Sequence, residues 1–551
     1  MMQTTGAATS DIFETGGVRV AIEGCGHGTL DAIYASVERS CTERGWDGVD
    51  LLIIGGDFQA TRNAADLTVM SVPAKFREMG DFHAYYGGTR TAPYLTVFVG
   101  GNHEAAAHLW ELFYGGWVAP NIYYMGAANV LRLGPLRLAG LSGIWKGFDY
   151  RRPHHERLPF NQDDVKSFYH VRQIDVRRLL QVCEPVDIGI SHDWPRGIER
   201  HGDHARLFRQ KPMFRSESEE GSLGSVAAEH VMDRLRPRYW FSAHLHCKYA
   251  AIKQYAPPDK VLPAVDLASS RTAIAAEPVA AAAVDNPDEI DLDLDDDGDD
   301  ASAGASSSKP VETAPQIAQT SVLGIPDDVL AQLPASFQRL PSARPPQPGQ
   351  PVPPTITNTT VRFLALDKCL PGRHYLQVCE IPPASTEAAA AAAAVAPTSH
   401  PGRYRLEYDP EWLAITRVFA NELVIGAGAA SPPTPNDRGE LQYRKLIDEE
   451  RRWVDEHIVA KDRLAVPANF VLTAPVHTPV PGRPDTHASG QPVEYTNPQT
   501  AAFCALVGVP NLWDAPEAER EERRLRGPAP RRLDKGTRSK RYYGAGSSEL
   551  S

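Results

Sequence analysis

Residues able to bind metals recur at five points where a short β-branched run gives way to glycine or a polar side chain. In chain order the motifs are GCGHG, GGD, GNHE, SH and AHLH. The side chains that they supply are Cys25, His27, Asp57, Asn102, His103, Glu104, His192, His244 and His246. Thiolate and imidazole ligands suit Zn, Fe or Mn better than Mg or Ca. A carboxylate can bridge two such ions, and a metal pair clamps a phosphodiester and supplies a hydroxide for in-line attack. The set therefore predicts two-metal phosphodiester hydrolysis.

Each motif alone supports a simpler interpretation. A single histidine at the end of a strand is more often a hydrogen-bonded core or surface residue, and GD and GN pairs are common turns. Cys25 is the least specific, because a free cysteine often acts as a small buried hydrophobe. Five motifs that all end apolar runs are hard to explain by coincidence. In the H-x-H pair, His244 and His246 would point the same way from a strand.

The elements that must position these groups are short strands. Five apolar runs are predicted as strands, at 18–24, 50–57, 94–101, 186–193 and 238–246. Continuous apolar runs are typical of strands covered on both faces. Leu30, Ile33, Tyr34 and Val37 have helical spacing, and 121–143 reads as a hairpin broken at Gly134-Pro135. Loops at the carboxyl ends of strands converge in α/β folds, so we expect a layered α/β sandwich with one cleft.

Composition divides the chain into ordered and disordered parts. Between 257 and 355 Ala, Pro, Ser and Asp dominate, and such a segment cannot bury enough surface to fold. We predict disordered tails at 1–16 and 516–551, a catalytic domain at 17–256, a disordered linker at 257–355, and an ordered block at 356–515 with an alanine-rich insert near 383–402. The tail after 516 is basic, and 441–458 is predicted to be an amphipathic helix.

The net charge of −12 is local, because 285–300 holds ten acidic residues in sixteen positions. The remainder carries about −2, which is compatible with a basic groove. Seven scattered cysteines without a CxxC pair argue against a disulfide scaffold and for a reducing compartment. Neither a secretory signal nor an 18-residue apolar stretch is visible, so we expect an intracellular protein without membrane contact.

The ordered motif set resembles the calcineurin-like metallophosphoesterases, whose first motif is usually D-x-H. Cysteine in place of that aspartate, in GCGHG, is typical of one branch, the lariat debranching enzymes. Further blocks similar to that branch are GGDFQATRNAADL, VPAKFREM, FVGGNHEA, YGGWVAPNIYYMG, SGIWKGFDYR, HVRQIDVRRL and SHDWPRGI, and later FLALDKCLPGRHYLQV and YDPEWLAITRVF. The resemblance implies an αββα metallophosphoesterase sandwich with a smaller C-terminal domain and disordered insertions.

The resemblance also implies a role for each motif residue. One metal would be held by Cys25, His27, Asp57 and His246, and the other by Asp57, Asn102, His192 and His244. His103 would protonate the leaving oxygen, because a ribose alkoxide leaves poorly at neutral pH. The alternative for His103 is a partner that positions a metal ligand, and Glu104 would orient His103. The cofactors would be two divalent ions, Fe(II)/Zn(II) or Mn(II), and the soft sulfur of Cys25 disfavours Mg(II).

The segment 145–172 is rich in aromatic and basic residues, which suits stacking on RNA bases and contact with phosphates. An ordinary solvated surface loop has the same composition. The resemblance implies a lariat recognition loop, and the predicted substrate contacts are Trp145, Lys146, Phe148, Tyr150, Arg151, His155, Tyr169 and Arg172.

The activity implied by the resemblance is hydrolysis of the 2′-5′ phosphodiester at the branch point of excised intron lariats. Nuclear residence, a role in mRNA processing and intron turnover, a monomeric state and spliceosome-associated protein partners follow as expectations. A Ser/Thr phosphatase is disfavoured because GGDFQATRN replaces a VDRG-like continuation. A DNA nuclease remains an alternative, as does a metal-free scaffold, which the complete ligand set disfavours. The C-terminal block is expected to brace the catalytic domain or to bind partners, and basic residues at 531–541 could serve nuclear import or RNA contact, or form a solvated tail.

Overall fold

The computed structural model describes residues 17–256, 347–384, 403–426, 432–479 and 481–530. Residues 17–256 and 351–530 of this set belong to one compact unit. Four predicted segments lie wholly or partly outside the described residues: the tail at 1–16, positions 257–346 of the linker predicted at 257–355, most of the alanine-rich insert, and the basic residues beyond 530.

Thirteen strands in the described part of the chain form two mixed sheets. They are β1 (Val18–Glu23), β2 (Leu51–Ile54), β3 (Thr96–Phe98), β4 (Gly116–Ala119), β5 (Ile122–Tyr124), β6 (Ala128–Leu133), β7 (Leu136–Leu141), β8 (Ile188–Ser191), β9 (Tyr239–Ser242), β10 (Tyr249–Gln254), β11 (Thr360–Ala365), β12 (Leu376–Ile381) and β13 (Leu406–Tyr408). One sheet has the order β12-β1-β2-β3-β5-β4, and the other has the order β10-β11-β9-β8-β7-β6-β13.

The inner core lies between the two sheets. Val20 and Ile53 of the first sheet share a buried apolar cluster with Ile190 and Trp240 of the second. Alternate residues of the first sheet, such as Leu52, point outward into a separate cluster with α1, as the two-residue period of a strand requires. The predicted layered α/β sandwich is confirmed.

Helices cover the sheets and connect the strands. They are α1 (Leu30–Arg44), α2 (Ala64–Leu67), α3 (Phe82–Tyr86), α4 (Ala106–Trp110), α5 (Gly147–Tyr150), α6 (Gln162–Ser167), α7 (Gln173–Leu179), α8 (His204–Gln210), α9 (Met213–Glu220), α10 (Val226–Leu235), α11 (Pro410–Phe419), α12 (Glu440–His457), α13 (Pro498–Val507) and α14 (Glu517–Arg526). Helix α1 buries the four predicted apolar residues and ends at Gly45 in the left-handed conformation. Each helix of the described ranges is too short or too polar to cross a bilayer.

The C-terminal block supplies strands to both sheets. Strand β12 pairs antiparallel with β1, β11 lies between β10 and β9, and β13 pairs with β6. Without these segments β1 and β6 would each present an unpaired edge, which is a template for aggregation. The predicted domain boundaries stay predictions, but the bracing role expected of this block has a structural basis in this pairing.

The start of the predicted disordered tail has defined structure. Helix α14 lies inside the range 516–551, so the expectation of disorder is wrong for 517–526. Ion pairs at i,i+4 join Arg523 to Glu519 and Arg526 to Glu522. Arg523 also contacts the buried Glu494 carboxylate at 2.8 Å. Composition alone did not predict this helix, because a segment so rich in charge resembles a disordered tail. Its opposite charges stabilise the helix by pairing along its surface.

A buried ion network fastens the C-terminal block to the β6–β7 hairpin. Asp409 caps helix α11 through the Trp412 N–H and accepts hydrogen bonds from Arg137 and Arg132 at 2.7–2.8 Å. Burial opposes ionisation, but Arg137 and then Arg132 hold the pKa of Asp409 well below its usual range. We expect Asp409→Asn to lower the free energy of unfolding at pH 7 by ~3 kcal/mol, because the buried Arg137 guanidinium loses one of its two carboxylate partners. Urea denaturation measures the change.

The difference in free energy of unfolding between wild type and Asp409→Asn should become smaller as the pH falls. The pKa of Asp409 is lower in the folded chain than in the unfolded chain, so its stabilisation is present above the unfolded pKa and is lost as pH falls through the folded pKa. The matched control is Asp455→Asn, whose exposed pair with Arg451 at 3.0 Å should contribute less than ~1 kcal/mol. Equal effects of the two substitutions would contradict the assignment.

Candidate metal centre

The predicted ligands meet at one edge of the sandwich. Strands β1, β2 and β3 run parallel in one sheet, and β8 and β9 run parallel in the other. The carboxyl ends of these strands therefore face a common cleft. The loops that follow them carry Cys25, His27, Asp57, Asn102, His192, His244 and His246.

Four of these side chains form a compact donor cluster. One ligand atom from each of Cys25, His27, Asp57 and His246 lies within 4.8 Å of the other three. The Nε2 atoms of His27 and His246 are 3.4 Å apart, and His27 Nε2 is 3.7 Å from Asp57 Oδ2. These are the residues predicted for the first metal.

The second predicted set adjoins the first through Asp57. The second carboxylate oxygen of Asp57, Oδ1, is 3.4 Å from His192 Nε2. The same His192 nitrogen lies 3.2 Å from the side-chain oxygen of Asn102. The ring of His244 is 5.0 Å from that of His192, measured between centroids. His192 Nδ1 is 2.9 Å from the Gly55 carbonyl oxygen, so an N–H there can donate to it while the lone pair of Nε2 faces the cleft.

Backbone strain is concentrated at this centre. His27, Asp57, His244 and His246 have φ values of 43°, 47°, 59° and 46°, a left-handed conformation that is uncommon for residues with a Cβ. Each such residue costs of order 1 kcal/mol or more, and surrounding contacts must maintain it. One such contact is the hydrogen bond from His27 N to Asp57 O at 2.6 Å. The convergence of donors is thus enforced by the fold.

Electrostatics leave the imidazoles of His27, His244 and His246 neutral and Asp57 charged. Burial, more than any other cause, lowers the pKa of His27 to about 4, of His244 to about 3 and of His246 to about 2. Neutral imidazole is the form that binds metals. Burial alone would raise the pKa of Asp57, but His192 and His103, together with the hydrogen bond from the His103 N–H, hold it well below its usual range.

Cys25 completes the chemistry of the cluster. Its sulfur accepts a hydrogen bond from His244 N at 3.2 Å. Burial, followed by the charge of Asp57, raises the pKa of the Cys25 thiol well above its usual value. A divalent cation reverses this balance, because a coordinating thiol is deprotonated. One thiol, four imidazoles, one carboxylate and one amide oxygen therefore fit a pair of borderline divalent ions such as Zn(II), Fe(II) or Mn(II).

His103 and Glu104 flank the donor set. The His103 N–H donates to Asp57 Oδ1 at 2.8 Å, and its half-buried ring is 5.4 Å from the ring of His27. Glu104 was expected to orient His103. Instead its carboxylate accepts hydrogen bonds from Gly101 N, Phe58 N and Gln59 N at 2.8–2.9 Å, so it ties the two ligand loops together. Burial, followed by Asp57, raises the pKa of Glu104 to about 8.

The recognition segment, residues 145–172, has both accessible and enclosed side chains. Phe148 and Arg151 are exposed, and Phe148 retains 69% of its accessible surface. The half-buried members are Trp145, Lys146, Tyr150 and Tyr169. Lys146 is among the charges acting on His244, so this segment borders the metal centre.

Two predicted RNA contacts in this segment are enclosed. Arg172 is fully buried and donates to Glu156 Oε1 at 2.5 Å and to the carbonyl oxygens of Asp149 and Ser167. His155 is also buried, with Nε2 3.4 Å from the same Glu156 oxygen. Direct RNA contact predicted for His155 and Arg172 is contradicted by this burial, because both side chains are engaged inside the segment and brace it.

Gly56 is required by a close approach that sequence reasoning did not anticipate. Its φ is 124°, and a Cβ built there would lie 2.2 Å from His192 Nδ1. We expect Gly56→Ala to displace His192 and so to weaken metal affinity by roughly 10–100-fold. Metal content and activity should therefore fall together. Elemental analysis and turnover measure this. Gly45→Ala is the control, since its Cβ would meet nothing within 4 Å, and a similar metal loss there would refute the steric argument.

Comparison with known proteins extends this picture. The calcineurin-like phosphoesterase model matches residues 7–248, and the model described as lariat debranching enzyme, C-terminal domain, matches 358–512. The chain is 39% identical to the lariat debranching enzyme of Schizosaccharomyces pombe over 89% of its own length and 96% of that protein. For the Homo sapiens enzyme the identity is 36%, over 93% of this chain and 72% of the relative. The chain belongs to the lariat debranching enzyme family. The matches also support a phosphodiester hydrolase.

Sequence patterns in this debranching-family chain did not identify Lys368, which lies beside the centre. Lys368 forms an isolated parallel bridge with Cys25, although 343 positions separate the two in sequence. The only signal was the block FLALDKCLPGRHYLQV, which supported the resemblance but carried no recognisable ligand pattern.

Proposed function

We propose that this chain hydrolyses the 2′-5′ phosphodiester at the branch point of lariat RNA. The observation that carries the proposal is the thiol-containing donor cluster, in which ligand atoms of Cys25, His27, Asp57 and His246 lie within 4.8 Å of one another. It adjoins His192 and Asn102 in a chain of the lariat debranching family. A metal pair at such a centre suits a phosphodiester.

The first ion would be held by Cys25, His27, Asp57 and His246. The second would be held by Asp57, Asn102, His192 and His244, with Asp57 shared. When bound, two such ions polarise phosphoryl oxygens and lower the pKa of water. The sulfur of Cys25 favours Zn(II) or Fe(II), with Mn(II) as a further candidate, over Mg(II).

His103 is proposed to donate the proton that the departing ribose 2′ oxygen needs. Its backbone N–H is held by Asp57 Oδ1 at 2.8 Å, and its ring lies beside that of His27. This arrangement leaves the imidazole at the border of the donor cluster, where a leaving group would lie. The phosphate then stays on the nucleotide that had been joined through the branch.

The exposed part of the recognition segment is proposed to bind the RNA strands. Phe148 offers an aromatic face and Arg151 a cation, and the half-buried Lys146 offers a second cation beside them. Stacking and phosphate contact are the means by which unpaired RNA is bound. Trp145, Tyr150 and Tyr169 are half-buried and are proposed as further contacts. The cellular setting proposed with this activity is intron turnover in the nucleus, by a monomer that meets spliceosome-associated proteins.

The test is turnover of a synthetic 2′-5′ branched RNA against a linear 3′-5′ RNA, alongside elemental analysis of the purified protein. We expect cleavage of the branch only, and about two divalent ions per chain. Linear DNA and a phosphopeptide are assayed in parallel. Preferred hydrolysis of either one would favour a nuclease or a phosphatase and overturn the proposal, and a metal-free inactive protein would favour a scaffold.

A further inference from the structure

We propose that Lys368, from the C-terminal block, is a substrate-binding residue whose ammonium contacts a phosphate of the branched RNA on the Cys25 side of the centre. The inference rests on the proposed function, since it names a contact for that same substrate. It assigns to the C-terminal block a direct part in the reaction, in addition to its pairing with the sheets.

The backbone places Lys368 at the centre. Cys25 N donates to Asp367 O at 3.3 Å, and Cys369 N donates to Cys25 O at 3.3 Å. The segment can approach so closely because position 24 is glycine, where a Cβ would lie 2.1 Å from Asp367 O. Lys368 is therefore the register partner of Cys25, a residue whose sulfur belongs to the donor cluster.

Side-chain alternation then decides which way Lys368 points. Paired residues on neighbouring strands share a face, and consecutive residues point to opposite faces. Cys369 belongs to the outer apolar cluster with Leu30 and Ile33 of α1. Lys368 accordingly faces the other side, toward the donor cluster. The lysine is half-buried, so part of its surface is exposed to solvent.

Electrostatic effects agree with this placement. Burial is the largest cause of the lowered pKa of His27 and of His246, and the charge of Lys368 is a smaller cause that lowers both. Lys146 acts in the same way on His244. The centre thus has one lysine beside each predicted metal site, one from the recognition segment and one from the C-terminal block. Two cations so placed suit a polyanion that passes through the cleft.

The surrounding charges are also favourable. The Asp367 carboxylate accepts the Lys368 backbone N–H at 2.8 Å and lies 3.6 Å from Arg373. Arg373 and Lys211 both act on Asp367, so the acid adjacent to Lys368 is compensated by other cations. A lysine there would bind phosphate as a point charge, without the fixed geometry that arginine demands.

The test compares Lys368→Gln, Lys368→Arg and wild type in cleavage of branched RNA over a range of salt concentrations. We expect Lys368→Gln to lower kcat/KM by roughly 10- to 100-fold, as for loss of a charge-assisted hydrogen bond. The slope of log(kcat/KM) against log[salt] should become shallower by about 0.7 to 1, as for one lost phosphate contact. Lys368→Arg should keep the wild-type slope. Metal content should not change, because removal of a positive charge does not weaken cation binding.

Lys445→Gln is the matched control, since it removes an equal charge from an exposed position on α12 and should keep wild-type kcat/KM and slope. An unchanged kcat/KM and slope in Lys368→Gln would overturn the inference alone. So would reduced activity with an unchanged slope and a lowered Tm, since that pattern indicates a structural role. Hydrolysis of bis(p-nitrophenyl) phosphate reports on the metal centre without RNA. A wild type that cleaves this diester but not the branched RNA would overturn the proposed function and this inference with it.

Discussion

His103→Ala is expected to lower kcat for branched RNA by about 10²- to 10⁴-fold, the range ascribed to a general acid. Metal content should stay at the wild-type level, because the contact with Asp57 Oδ1 is made by the His103 backbone N–H, which alanine retains. Single-turnover cleavage of the branched oligonucleotide measures the loss.

The leaving group separates acid catalysis from positioning. A nitrophenolate departs without protonation, so His103→Ala should lose far less activity on bis(p-nitrophenyl) phosphate than on branched RNA. Equal losses on both substrates would show that His103 positions the ligand loop instead. Wild-type turnover of branched RNA by the variant would remove His103 from the reaction altogether.

Cys25→Ser is expected to reduce turnover by at least ~10²-fold and to leave about one metal ion per chain. Loss of a residue that only hydrogen-bonds to a metal ligand already costs about 10–100-fold in metal affinity or activity, so loss of a ligand should cost at least as much. A serine hydroxyl stays protonated at neutral pH and is a harder, weaker ligand than thiolate. The cluster would lose its only sulfur, while His27, Asp57 and His246 remain in place. Elemental analysis and branched-RNA cleavage are measured on the same preparation.

Cys379→Ser is the control for removal of a thiol. Cys379 is half-buried on β12 and lies outside the donor cluster, so this variant should keep both metals and wild-type turnover. A circular dichroism spectrum like that of wild type in Cys25→Ser would exclude unfolding as the cause. Two metals with wild-type turnover in Cys25→Ser would disprove the ligand role of the thiol.

Local sequence was sufficient for the five strands that precede the donor residues and for α1. Apolar runs of seven to nine residues that end in glycine or a polar side chain are consistent with covered strands, and β1, β2, β3, β8 and β9 lie within the predicted ranges. The spacing of Leu30, Ile33, Tyr34 and Val37 was likewise sufficient for α1, because burial of one face is a local property. Each donor residue could therefore be placed at the end of an element.

Long-range partners could not be predicted in this way. Glu104 was assigned to its neighbour His103, but it bonds to Phe58 and Gln59, which lie more than 40 residues away. Composition suggested that Arg172 and His155 face RNA, while in the structure both contact Glu156 inside the segment. A charged side chain is read as exposed unless its buried partner is known.

For the metal centre itself, the sequence determined which donor atoms are present and the chemistry that they allow: one thiol, four imidazoles, one carboxylate and one amide. Tertiary structure decided how closely they converge, because left-handed ligand loops and glycines at close approaches bring ligand atoms of Cys25, His27, Asp57 and His246 within 4.8 Å of one another. It also decided that Lys368 joins them across 343 positions of chain. Residue type fixes reactivity, whereas proximity depends on pairings between distant segments, which no local pattern encodes.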